Sequence, residues 1–154
     1  MTADRLRAGD VLLYSPKGAF GWLIKFHTGG PVAHVEVYMG NSQALASRDK
    51  LGVGLYPWRD TELAYVLRPA TFDVSRALAW FETEGKGQPY GWLDLAQFCG
   101  YYTVNGPGMV CSPCATRVLR AAGVPIFRAY PAERIEPRDF LLSELLTPVW
   151  TAEN

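Results

Sequence analysis

The run Val110-Cys111-Ser112-Pro113-Cys114-Ala115-Thr116-Arg117-Val118-Leu119-Arg120-Ala121-Ala122-Gly123 constrains this chain more than any other stretch. It reads as the start, body and stop of one helix. Ser112 suits the N-cap, where a hydroxyl accepts a backbone N–H that has no helical partner. Pro113 suits the first turn, because its missing N–H would go unpaired there anyway. Ala115, Val118, Leu119 and Ala122 recur at helical spacing and form a buried face. Gly123 stands where a left-handed residue ends a helix, and Pro125 blocks continuation. Cys111 and Cys114 therefore lie at or beside a helix N-terminus, where the helix dipole and unpaired N–H groups favour a thiolate.

The remaining pattern supplies a small sheet. A turn at Arg7-Ala8-Gly9-Asp10 leads into an apolar strand, Val11 to Tyr14. Ala19 to His27 has helical spacing, and Thr28 to Pro31 ends it. Ala33 to Met39 alternates as a strand does, with His34, Glu36 and Tyr38 on one face and Val35, Val37 and Met39 on the other. Gly40-Asn41-Ser42 makes a tight turn into a returning strand, Gln43 to Ser47, with a weak strand near Val53 to Leu55. Glu62 to Arg68 is a strand closed by Pro69. Asp73 caps a helix reaching Glu82, with Val74, Ala77, Leu78 and Phe81 inward. Trp92 to Tyr101 reads as a buried helix, and the loop Thr103 to Gly108 delivers the cysteine helix. Beyond Gly123 the chain reads as irregular, apart from a helical turn at Pro137 to Leu142 and a packed Val149-Trp150. Strands gathered in one sheet with helices beside it give an α+β fold, a small antiparallel sheet with segregated helices.

A chain of 154 residues, 49% of them hydrophobic, is enough for one domain, spanning 1–154. Lys+Arg and Asp+Glu are 15 each, so charge gives no reason to expect nucleic acid or an anionic membrane as partner. No apolar run approaches the ~20 residues of a membrane span, so no integral membrane segment is expected. Met1 to Arg7 lacks an apolar signal core, which makes the cytoplasm the default location. Three cysteines are too few for a disulfide scaffold. Cys111 and Cys114 have no downstream His or Cys at zinc-site spacing, so neither a metal nor another cofactor is expected. Cys99 and His27 read as structural, and the five tryptophans as core and turn packing.

Taken together, Gly9 to Tyr14, Ala33-His34-Val35 running into Tyr38-Met39-Gly40, Gly52-Val53, Pro89-Tyr90-Gly91-Trp92 and Cys111-Ser112 before Ala122-Gly123 show a familiar order. This order resembles the circularly permuted papain-like cysteine hydrolases of the NlpC superfamily, in the YiiX-type and lecithin retinol acyltransferase-like branch, over about residues 9–123. The resemblance implies a permuted papain-like core with a C-terminal extension over 124–154. It implies that Cys111 is the nucleophile and His34 the general base and acid. Where the family often has a third polar residue, this chain has Leu45 or Ala46, neither of which can orient an imidazole. Three options follow: a Cys–His dyad, a substitute such as Ser47 or Glu36, or a site without activity.

The implied chemistry is cleavage of an amide bond through a thioacyl intermediate. The Cys111 N–H is one oxyanion donor, and Tyr14 and Tyr90 are candidates for a second. A peptide or peptidoglycan-derived substrate is the family-level expectation. A lipid-directed thioesterase or acyltransferase on the same pair is the first alternative and would favour a wide apolar groove. A non-catalytic binding module, suggested by the missing third polar residue, is the second. Action on a cell wall from a chain without a visible signal would require a dedicated export route or release by a phage. Cys114, three residues after Cys111, competes with it as the reactive thiol.

Overall fold

The computed structural model describes residues 1–18, 21–22, 25–26, 29–91 and 108–152. Among these residues, six strands form one antiparallel sheet: β1 (Val11–Tyr14), β2 (His34–Gly40), β3 (Gln43–Arg48), β4 (Gly52–Pro57), β5 (Leu63–Pro69) and β6 (Leu146–Thr151). Their spatial order is β4-β3-β2-β1-β5-β6. Helix α1 (Val74–Trp80) packs against α2 (Cys111–Ala121), which in turn lies on β2 and β3. The α+β class expected from the pattern is therefore observed.

Local chemistry explains most boundaries. Asn41 and Ser42 both have positive φ, 50° and 56°, as a two-residue hairpin turn between antiparallel strands requires. The Asp73 side chain accepts from the Arg76 N–H and caps α1. That helix ends in a wider π turn, Phe81–Gly85. Its inward residues are Ala77, Trp80 and Phe81, whereas Leu78, expected inward, is 37% exposed. The wider turn shifts the buried stripe onto Trp80, whose ring closes over Gly85. At the end of α2, the Gly123 N–H bonds the Arg120 carbonyl and the Val124 N–H bonds the Leu119 carbonyl. Gly123 has φ +87°, so this is the left-handed stop that the sequence predicts.

Two expectations change. The start of α2 lies two residues earlier: Val110 is the N-cap, and Ser112 is already inside the helix with its hydroxyl buried and unpartnered among the described residues. The C-terminal stretch is also not merely packed down, because Leu146–Thr151 adds β6 to the sheet edge beside β5. Pro148, which argues against a strand in the sequence, is tolerated because an edge strand has one side without a ladder. Ile126, Ile135, Phe140 and Leu146, from the segment read as an extension, join the same apolar cluster as Val35, Val37 and the inner face of α2. The helical turn expected at Pro137 to Leu142 is present as a 3₁₀ helix.

Of the helix expected over 19–27, Gly21, Trp22, Lys25 and Phe26 are helical, and the remaining positions, His27 included, lie outside the described residues. The helix expected over 92–101, with Trp92 and Cys99, and the loop over 103–107 lie outside them too. Trp22, expected to pack inside, is 59% exposed and stacks on Phe26 at 5.2 Å between ring centroids.

Gly108 delivers α2 to the sheet. It has φ +117°, and a Cβ there would stand 2.6 Å from the Pro89 carbonyl oxygen. That contact lets Met109 bridge to Tyr90 and donate its N–H to Pro89 at 3.0 Å. Gly108→Ala is expected to cost about 1–3 kcal/mol in urea denaturation and to lower the reactivity of Cys111, two residues inside the displaced segment.

Candidate active site

The β2–β3 register pairs Tyr38 with Ala44 and Val37 with Leu45, and goes no further toward His34. The start of α2 enters there. The Ser47 hydroxyl donates to the Met109 carbonyl, fastening β3 to the residue two before Cys111. The Cys111 sulfur accepts from the backbone N–H of Val35 on β2 and of Ser112 on its own helix. An interruption of the ladder thus holds the thiol between two strands, at the first turn of a helix.

His34 meets Cys111 at this point through a side-chain hydrogen bond. Its Nε2 lies 3.0 Å from Glu36 Oε1, which leaves Nδ1 to face the sulfur. Glu36 is fully buried and is gripped by Arg48 from the end of β3, with Nε–Oε1 at 2.8 Å and Nη2–Oε2 at 3.0 Å. Arg48 Nη2 also donates to the Pro57 carbonyl, and its guanidinium lies over the Tyr56 ring. The result is one line of contacts, Cys111–His34–Glu36–Arg48.

The line sets the charges. Burial works against the Glu36 carboxylate, but bonds from His34 and Arg48 outweigh it and hold its pKa down at about 2. Burial also works against a charged His34, but the Cys111 sulfur and Glu36 outweigh it and raise its pKa to about 9. Burial pushes the Cys111 thiol up, while His34 and the Val35 and Ser112 N–H groups bring it below its ordinary value. Cys114 is the opposite case: fully buried and beside the Cys111 sulfur, its thiol is pushed up. The two cysteines differ because only Cys111 reaches the imidazole.

The other sequence candidates separate clearly. Glu36 contacts His34, whereas Ser47 is committed to Met109. Leu45 and Ala46, at the position expected to be polar, are buried in the sheet. Tyr14 is paired with His34 in the β1–β2 register, and their rings stand 5.8 Å apart. The Tyr14 hydroxyl donates to the Arg59 carbonyl at 3.1 Å, so its proton points away from the thiol. Tyr90 is buried near Cys111, whose charge adds to burial in raising the phenol pKa. Sequence reasoning missed Arg48. The signal available for it was Glu36 itself, since a carboxylate on a strand that enters the core requires a cation.

A cleft of about 560 Å³ opens beside this line, with His34, Arg48, Asp49, Arg59, Glu62 and Tyr90 on its wall. Among the described residues, no group of three or more His, Cys, Asp or Glu side chains is arranged to hold a metal ion, and no helix is long and apolar enough to cross a membrane. Comparison of the chain with protein-family models and with curated proteins gives no match.

Proposed function

We propose that this protein is a cysteine hydrolase of permuted papain-like type, which cleaves an amide bond through a thioacyl intermediate on Cys111. The observation that carries this reading is the hydrogen-bonded line itself. A cysteine at a helix N-terminus faces an imidazole whose far nitrogen is fixed by a buried carboxylate. The Cys111 thiolate attacks the carbonyl carbon, and the C=O electron pair moves onto oxygen. The Cys111 N–H, a first-turn group with no acceptor within its own helix, is the donor that receives that oxyanion. His34 gives its Nδ1 proton to the leaving nitrogen as the C–N bond breaks. It then takes a proton from water, whose oxygen attacks the thioester and releases the acid and the thiolate. Glu36 stabilises the imidazolium and fixes its orientation. Tyr90 is the remaining candidate for a second oxyanion donor.

Arg48, Asp49, Arg59 and Glu62 on the cleft wall give a polar peptide-like substrate partners there, beside apolar stretches at Pro16, Ala33 and Leu51. The contact of Glu36 with His34 removes the reason for a non-catalytic module, which was the lack of a third polar residue.

With p-nitrophenyl acetate, the protein is expected to give a burst of nitrophenol and an acetyl group on Cys111, absent in Cys111→Ala. With an amide substrate, single-turnover acylation should decline as pH rises through about 9, where His34 loses the proton needed by the leaving nitrogen. No acetyl group on Cys111, or acetylation at Cys114 alone, would rule the reading out.

A further inference from the structure

Arg59 stands on the cleft wall with His34, in the segment between β4 and β5. Two contacts with one residue fix it. The Tyr14 hydroxyl donates to its backbone carbonyl, and its guanidinium carbon lies 5.0 Å from the centroid of the Tyr14 ring. Tyr14 is fully buried in β1 and stands against the His34 ring. The exposed guanidinium therefore stands one ring away from the imidazole, over a residue that cannot itself move far.

What the guanidinium lacks is a counterion. The half-buried Arg48 and Arg68 each grip a carboxylate, Arg48 holding Glu36 and Arg68 holding Asp10 through two bonds of 2.7 Å, whereas Arg59 is exposed on the cleft wall. No hydrogen bond or ion pair to a carboxylate engages Arg59 among the described residues, although Asp49 and Glu62 share the wall. Glu62 accepts the Lys17 backbone N–H at 2.9 Å instead. Over a tyrosine ring, a guanidinium still offers its N–H groups to a planar acceptor, and a carboxylate matches that fork with two parallel bonds.

We propose that Arg59 is a specificity-determining residue that receives a carboxylate carried by the substrate near the bond that Cys111 attacks. The inference rests on the hydrolase reading and narrows its substrate to amides with a free carboxylate close to the scissile carbonyl. Such a group would lie along the wall from His34, with the Tyr14 ring beneath the guanidinium that binds it.

Two electrophiles of nearly equal size test this without knowledge of the substrate. Iodoacetate carries the carboxylate and iodoacetamide does not. Their rates at Cys111 are measured by mass spectrometry at low ionic strength in the native protein, in Arg59→Gln and in Arg59→Lys. The positive His34 ring favours the anion in all three, so the informative quantity is the change in the iodoacetate to iodoacetamide ratio. In Arg59→Gln the ratio is expected to fall about fivefold, as for one charge at this range in a half-solvated cleft. The iodoacetamide rate should stay near the native value, and Arg59→Lys should retain most of the preference. Raising salt should shrink the difference. An unchanged ratio in Arg59→Gln, with Cys111 still reactive, would overturn the role of Arg59 and leave the hydrolase reading standing. A native Cys111 inert to both reagents would remove that reading and this inference with it.

Discussion

Replacing His34 with alanine should slow iodoacetamide alkylation of Cys111 near pH ~6 by roughly two orders of magnitude. The reason lies in the balance at the sulfur. Burial is the largest influence on the thiol and acts to raise its pKa, and the imidazole is the chief influence acting against it. The Val35 and Ser112 N–H groups remain in the variant but carry no full charge. Without His34 the thiol should therefore titrate at or above its ordinary range, and the thiolate should be scarce at mildly acidic pH. In the native protein the same profile should begin at lower pH. Glu36 keeps Arg48 as its partner in the variant, so the sheet should hold and the effect should appear in reactivity rather than in urea stability. Equal alkylation rates in the two proteins near pH ~6 would show that Cys111 is an ordinary buried thiol.

That pair was legible in the sequence because each member sits in a strong local pattern. Strict alternation from Ala33 to Met39 places His34 and Glu36 on one face. The Gly123 stop and the spacing of Ala115, Val118, Leu119 and Ala122 fix α2, so Cys111 falls at its start whatever the cap. The cap itself was not legible. Ser112 has the right chemistry, but the helix starts two residues sooner, with the Cys111 sulfur taking the Val35 N–H of the sheet. Local propensity carries no information about that contact. The same limit hid β6, whose Pro148 is acceptable only on the outer edge, a position set by the order of the whole sheet. It also hid Arg48, which ends one strand and serves a carboxylate on another. Periodicity tells which face a residue occupies, but not which residue of a neighbouring strand will meet it.

Arg48 should reveal itself most strongly through stability. Arg48→Met would leave Glu36 buried with only His34 beside it, and stripping one partner from a buried pair costs about 3–5 kcal/mol. Glu36→Gln should cost less. The arginine left behind is 18% exposed, so it can turn toward water and keeps the Pro57 carbonyl, whereas the carboxylate has no path to solvent. The two variants should also differ with pH. In the native protein Glu36 titrates at about 2, below its ordinary 4.5. A group depressed in this way stabilises the fold above its unfolded pKa, and that stabilisation is lost as pH falls from 4.5 through the folded value. The full loss is of order 3 kcal/mol. Glu36→Gln has no such carboxylate, and in Arg48→Met its pKa should rise toward or past the ordinary value. Urea denaturation from neutral pH down to about 3 should therefore steepen least in these two variants. An Arg48→Met protein as stable as native at neutral pH would mean that the guanidinium is dispensable to the buried carboxylate. The imidazole would then have to be held by Glu36 without help from the neighbouring strand.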